Sequence, residues 1–439
     1  MPEDAETTAP ATPFKPNDDG FVFPTYEPTQ TTDIHVRYDF NFGARIQVDR
    51  DAHDPVHIAL FDADTGNVLH SSVVKPGYGV GCSKKYYIRY RLEARTPNGT
   101  LLDTHEMSLE GKDVLVQMPY KGALGDSIAW FAAAVAFQQR MKAKVHILMP
   151  PFVQDIFQAQ YPELVFETLE SAKAGRYYAT YYLGLYFHGD LDWQPHDFRL
   201  LSLPGTAGSI LGMDDFEPVP PKTRARTSPV KGRYVVVATQ ASNHAKHWCN
   251  PQGWRLVIAN LLARGYRVLC IDRDHEVGVD DVWHHMPWGV EDWTGNRPLQ
   301  ERVDIISGAD FFIGLSSGLS WLAWCCHVPV VLISGICMPF GEFQTPYRVQ
   351  NRNVCHGCWN DTRREFSHTD FMWCPVHKGT PRAYECTKAI SARMVLNAIE
   401  RIPGVLPVNA APSMTAKPTD TGDDTEDMAK QRRESPGQQ

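Results

Sequence analysis

At 439 residues the chain exceeds what one hydrophobic core ordinarily organises, which sets an expectation of two or three domains. A formal net charge of -8 gives no general electrostatic reason to expect a nucleic-acid partner. The opening Met1-Pro2-Glu3-Asp4-Ala5-Glu6 is acidic and lacks the apolar run of an export leader, so ten cysteines read as belonging to a reducing, cytoplasmic compartment, where clustered thiols bind metal in preference to pairing.

Residues 1–20 and 406–439 are rich in proline, threonine and acidic residues, and are expected to be disordered tails. Between them, residues 21–112 alternate short apolar segments with turn signals. His57-Ile58-Ala59-Leu60-Phe61 leads through Asp64-Thr65-Gly66-Asn67 to Val68-Leu69, and Tyr86 to Ala94 leads to Pro97-Asn98-Gly99. The pattern predicts a small β-rich domain with hairpins.

From Asp113 the pattern becomes buried strand, glycine turn and helix. Val114 to Met118, Gly122 to Gly125 and the apolar run Ile128 to Phe137 precede a second strand at Val145 to Met149. A similar unit starts at Tyr234 to Ala238, continues through a helix at Gly253–Ala263 and returns at Arg267 to Ile271. The expected fold is therefore α/β: two Rossmann-like lobes, at 113–228 and 229–345, behind the β domain. Phe311 to Phe340 contains no Asp, Glu, Lys or Arg, long enough for a membrane span, but Gly314, Gly318 and Pro329 divide it into strand, helix and strand. No transmembrane segment is expected.

Cys355-His356-Gly357-Cys358, with Cys374 and Cys386, supplies four thiolates, the set that closes a tetrahedral shell around one metal ion. Residues 346–390 are accordingly expected to form a four-cysteine metal finger, followed by a helix at 391–405. Sulfur-only ligation suits zinc and iron alike and leaves no open position, so the metal would be structural.

In doubly wound sheets ligands sit at the carboxyl ends of strands, which directs attention to three loops. In Lys121-Gly122-Ala123-Leu124-Gly125-Asp126-Ser127, glycines admit a phosphate or sugar close to backbone N–H groups at a helix start. Asp126 is either the helix N-cap or a general base facing the cleft. In Ala241-Ser242-Asn243-His244-Ala245-Lys246-His247-Trp248, Lys246 is either a solvated lysine or the cation that offsets a departing diphosphate. In Gly314-Leu315-Ser316-Ser317-Gly318-Leu319-Ser320, the serines either cap a helix or cradle phosphate oxygens.

At these loops, with Trp254 and Trp321-Leu322-Ala323, the chain resembles the GT-B heptosyltransferases, and most closely the bacterial autotransporter heptosyltransferases that modify adhesins. In the lipopolysaccharide heptosyltransferases the third loop typically reads Asp-Thr-Gly-Leu-Ser-His. Here Ser316-Ser317 and Trp321 stand in place of Asp-Thr and His, a departure that argues against a lipopolysaccharide core acceptor. The resemblance implies inverting transfer of heptose from ADP-heptose to serine hydroxyls of an autotransporter passenger, in the cytoplasm. It casts Asp126 as base, Lys246 as the diphosphate partner, and Ala123, Leu124, Gly125, Ser242, Ser316, Ser317, Gly318 and Leu319 as donor contacts. Glu276 would reach the ribose or adenine. It also implies Fe3+ at Cys355, Cys358, Cys374 and Cys386, with no catalytic metal, and a dodecameric assembly. The competing readings are a different nucleotide-sugar donor, a lipopolysaccharide acceptor, or a metal-stapled nucleotide-binding scaffold without turnover.

Overall fold

The computed structural model describes residues 20–187 and 190–408. Nearly all of both expected tails lies outside them.

The N-terminal part is all-β. Its strands are β1 (Gln30–Thr31), β2 (Val36–Asn41), β3 (Arg45–Val48), β4 (Val56–Asp62), β5 (Val68–Val74), β6 (Gly79–Gly81), β7 (Tyr90–Arg95) and β8 (Leu101–Glu106). Four of them form an antiparallel sheet in the order β5-β4-β7-β8. In β7, inward Tyr90, Leu92 and Ala94 alternate with half-buried Arg91, Glu93 and Arg95, the period of a sheet with one apolar face. The other four strands are not separate from the first lobe. β2 pairs in parallel with β12 (Ala179–Tyr182), joining β1, β2, β3 and β6 to the strands β9 (Asp113–Gln117), β10 (Lys144–Leu148) and β11 (Val165–Phe166) in one eight-stranded sheet.

The first lobe packs α1 (Leu124–Met141), α2 (Pro151–Phe157), α3 (Leu169–Ala174) and α4 (Leu203–Ile210) around this sheet. β9, apolar throughout its centre, lies between β10 and β12, and both neighbours run parallel to it. The second lobe is a six-stranded parallel sheet in the order β17-β14-β13-β18-β19-β20, made of β13 (Tyr234–Val237), β14 (Arg267–Cys270), β17 (Glu291–Asp292), β18 (Phe312–Leu315), β19 (Val330–Ile333) and β20 (Arg348–Val349). Its helices are α5 (Gly253–Ala263), α6 (Leu299–Ser307) and α7 (Gly318–Cys325). An antiparallel hairpin, β15 (Glu276–Val279) with β16 (Val282–His285), projects between β14 and β17. The charge-free stretch is the buried unit β18-α7-β19, and no helix among the described residues is long and apolar enough to cross a membrane.

The chain closes with α8 (Glu385–Lys388) and α9 (Ala392–Ile399). Ser391 caps α9 by accepting from the Met394 N–H, and Val395, Ala398 and Ile399 bury its inner face against the second lobe.

The expected four-cysteine finger is corrected by the positions of the ligand atoms. Among the described residues, three groups of His, Cys, Asp or Glu bring their ligand atoms within 4.8 Å of one another: His244, His247 and His284; Cys355, His377 and Glu385; and His35, Asp49 and Asp51. None holds more than one cysteine, so Cys355, Cys358, Cys374 and Cys386 do not form a four-thiolate shell for iron or zinc. Cys358 and Cys374 lie against a buried cluster of Ile336, Cys337, Phe366, Trp373 and Tyr384, and a Cβ on Gly335 would lie 2.5 Å from the Cys386 carbonyl oxygen. Burial raises the Cys386 thiol and pushes Cys358 up to about 12, and the neighbouring thiols add to both shifts. This segment is a flap packed onto the second lobe.

Candidate active site between the lobes

All three loops meet at one cleft of about 370 Å³. Ala123, Leu124, Gly125 and Asp126 line it from the first lobe, and Ser242, Lys246, Ser316, Ser317 and Gly318 from the second. Leu319 lies one residue beyond this lining and packs, partly buried, against the main core. Glu276 is not at the cleft. It begins β15, pairs with His285 across the hairpin at 3.0 Å and is exposed.

Asp126 is not the N-cap of α1. Ala123 holds that position with extended backbone and no side-chain bond, and Asp126 lies in the first helical turn. Loss of water raises the carboxyl group above its ordinary range, and Lys246, reaching across from the other lobe, opposes that shift. The cleft thus brings a carboxyl group and an ammonium group 120 positions apart in sequence onto the walls of one site.

Lys246 ends a short 3-10 turn, His244–Lys246, that Asn243 caps by accepting from the Ala245 N–H at 2.9 Å. Asn243 Nδ2 also donates to the Asp370 carbonyl at 2.8 Å, and the His244 N–H to that of Phe371 at 2.9 Å, tying the loop to the flap. The start of the loop is pinned by buried Asp272, which accepts from the Thr239 N–H and hydroxyl, both at 2.8 Å. The flap returns the contact at the ammonium group itself. Lys246 Nζ lies 5.5 Å from the ring centre of Phe366 and 5.7 Å from that of Trp359, a cationic group set over a T-shaped pair of rings whose own centres are 5.1 Å apart. Trp359, Phe366 and His368 all line the cleft. The sequence did not single them out for the cleft, because only folding brings the flap there.

Where the lobes touch, two glycines are required by close approach. A Cβ on Gly125 would lie 2.9 Å from Trp321 Cδ1, and one on Gly318 would lie 2.8 Å from Leu124 Cβ and 3.1 Å from the Gly125 backbone nitrogen. Gly318→Ala must therefore part the two loops by a few tenths of an ångström. Since a small misplacement of reacting groups is costly, its initial transfer rate is expected to fall about 10- to 100-fold. Initial-rate measurements alongside a melting curve, expected to be little changed, check this.

The three-histidine group lies outside the cleft, beside the hairpin. His244 Nδ1 is 2.7 Å from His284 Nε2, and the His247 and His284 rings stack with centres 3.8 Å apart. His247 already uses both ring nitrogens: Nε2 accepts from the Ala241 N–H and Nδ1 bonds the Asn243 carbonyl. Burial lowers His244 and His284 to about 4 and His247 to about 3, so all three imidazoles are neutral near pH 7. The stacked pair and the satisfied nitrogens describe a packing and hydrogen-bonding cluster that fixes the Lys246 loop.

Residues 34–96 match the N-terminal domain of the glycosyltransferase TibC, and residues 213–370 match glycosyltransferase family 9, the heptosyltransferases. An autotransporter heptosyltransferase of Citrobacter rodentium is 44% identical over 384 residues, 87% of this chain and 92% of that protein. The chain belongs to the autotransporter heptosyltransferase family. It is a glycosyltransferase of the heptosyltransferase class. The crystal structure of TibC from enterotoxigenic Escherichia coli, described as an iron-containing dodecamer and also obtained with ADP-D-beta-D-heptose, superposes with a TM-score of 0.81 at 43% identity, covering 87% of this chain and 99% of that one. A relative from Burkholderia thailandensis, 34% identical over 88% of this chain and 90% of its own length, is named an inactive autotransporter heptosyltransferase.

Proposed function

We propose that the chain transfers heptose from ADP-heptose to serine hydroxyls of an autotransporter passenger, with inversion at the anomeric carbon. The observation that carries this reading is the placement of Asp126 and Lys246, from opposite lobes, on the walls of one cleft. A carboxylate whose basicity is raised by loss of water, facing a cation from the opposite lobe, suits a reaction that takes a proton on one side and releases negative charge on the other.

The acceptor oxygen attacks the anomeric carbon and its proton passes to Asp126. The bond from that carbon to the β-phosphate oxygen breaks, and ADP leaves with the electron pair. Lys246 offsets the charge on the departing diphosphate, helped by the N-terminus of α7 at Ser317-Gly318. Gly125 and Gly318 let the two loops close on the donor, and Ala123, Leu124, Ser242 and Leu319 complete its surroundings. The donor's diphosphate does not cross a bilayer unaided, which assigns transfer to the cytoplasm. The assembly is the dodecamer described for TibC.

Because one relative is named inactive, turnover itself is the quantity to measure. Incubation of the full chain with ADP-heptose and a passenger fragment should add the mass of heptose to the fragment, and fragmentation spectra should assign it to serine. Tight ADP-heptose binding without mass addition would leave a nucleotide-binding scaffold. Addition from a different nucleotide sugar, or to a lipopolysaccharide core and not to the passenger, would replace the donor or the acceptor in this reading.

A further inference from the structure

Behind Ser316 runs a chain of hydrogen bonds whose direction is fixed by its inner end. Arg348 Nη1 donates to Glu342 Oε2 at 2.5 Å, and Ser334 Oγ lies 2.9 Å from the same oxygen. A carboxylate held by an arginine only accepts, so the single hydroxyl proton of Ser334 points to Glu342. Ser334 Oγ also lies 2.9 Å from Ser316 Oγ. With its own proton committed, Ser334 can only accept there, and Ser316 must donate inward. Ser316, Ser334 and Glu342 are all buried, at 8%, 1% and 6% exposure, so water does not offer an alternative partner along the chain. Ser316 nonetheless lines the cleft, together with Glu342 and with Cys337, whose thiol neighbours the Ser316 hydroxyl; with its proton directed to Ser334, Ser316 presents lone pairs there.

An ionised phosphate oxygen also only accepts and cannot bond to such a group. A sugar hydroxyl can. The neighbouring Ser317 is the opposite case: it occupies the N-cap position of α7, makes no capping bond, and its buried hydroxyl has no hydrogen-bond partner among the described residues, leaving its proton free. From this directionality we infer that Ser316 accepts a hydrogen bond from a hydroxyl of the donor sugar while Ser317 donates to the diphosphate, and that Ser334, Glu342 and Arg348 are positioning residues that make Ser316 a reader of the sugar. The inference rests on the nucleotide-sugar reading of the cleft. It divides the work of two adjacent serines that look interchangeable in sequence.

The test compares the affinities of the full chain for ADP and for ADP-heptose by calorimetry, expressed as the ratio of the two dissociation constants. S316A should lower the preference for ADP-heptose about 3- to 10-fold, the effect of one hydrogen bond, at unchanged ADP affinity. S317A should weaken both ligands by the same factor and leave the ratio alone. S334A should lower the ratio by freeing the Ser316 proton, whereas S334T, which keeps the hydroxyl, should restore it, with melting curves showing that each variant is folded. The inference is overturned if S316A weakens ADP and ADP-heptose equally, if it changes neither, or if S334A leaves the ratio unaltered. Failure of the donor reading is distinguishable, because the unaltered chain would then show no preference for ADP-heptose and transfer no heptose, and the inference would fall with it. Normal heptose transfer with a ratio insensitive to S316A sinks the inference alone.

Discussion

Asp126→Asn is expected to lower kcat by about 10²- to 10⁴-fold, the range for loss of a positioned general base, with the dissociation constant of ADP-heptose and the melting temperature nearly unchanged. The substitution keeps the shape of the side chain and removes its capacity to take a proton. Its structural cost is small, because the N-cap of α1 is Ala123 and does not depend on Asp126. The same residue sets a pH dependence. Its carboxyl group is raised above 3.8 by loss of water, and only the ionised form can accept the acceptor's proton. Activity should therefore be present above that raised value and fall as pH drops through it, with the acidic limb of kcat lying above the ordinary carboxylate range. A profile whose acidic limb is unmoved in Asp126→Asn would assign proton removal to another group.

The second large effect is expected for Lys246→Ala. Removing the cation that faces the leaving diphosphate should cost about 10²- to 10³-fold in kcat, the scale of one preorganised electrostatic partner. It also removes the charge that holds the Asp126 carboxyl group down, so the acidic limb should move to higher pH. The two consequences separate in one experiment. At a pH well above the limb Asp126 is ionised in both proteins, and the rate difference that remains belongs to the leaving group. A variant that loses rate with no shift of the limb would show that the two residues do not act on each other. Because the ammonium group sits over the T-shaped pair of Trp359 and Phe366, Lys246→Arg should recover only part of the rate: a planar guanidinium has a different reach and prefers to stack flat on a ring.

The three cleft loops were legible in sequence because their signal is local. A buried strand, a glycine-containing turn and an apolar helix succeed one another within about 20 residues at Val114 to Phe137 and again at Phe312 to Cys325, and the doubly wound rule points to the carboxyl ends of such strands. Helix α5 was legible to its ends, from Gly253 to Ala263. The metal finger failed for the opposite reason. Spacing such as Cys355-His356-Gly357-Cys358 states which thiols are available, whereas ligation depends on where all four sulfurs come to rest, and Cys358 and Cys374 pack against Phe366, Trp373 and Tyr384. The setting of Glu276 was not legible either, since only the hairpin register shows it paired with His285. The partners of Ser316 and Lys246 could not be read at all. Ser334 and Glu342 lie 18 and 26 residues beyond Ser316, and Trp359 lies 113 beyond Lys246, in segments with no pattern of their own that points to the cleft.

The pairing of β2 with β12 carries a consequence for how this enzyme can be divided. Phe40 and Asn41 lie in register with Ala179 and Thr180, and the Asn41 side chain is bonded to Thr180 Oγ1 at 2.6 Å and to the Tyr177 carbonyl at 2.9 Å. The N-terminal strands thus seal what would otherwise be the open margin of the sheet that carries the Asp126 loop. Cutting the chain ahead of β9 would leave the hydrogen-bonding groups of β12 bare, the kind of exposed strand that recruits other chains and aggregates. Although its sequence reads as an added module, the β-rich start is built into the catalytic lobe, and grafting experiments that treat it as an exchangeable targeting unit would have to carry β12 along with it.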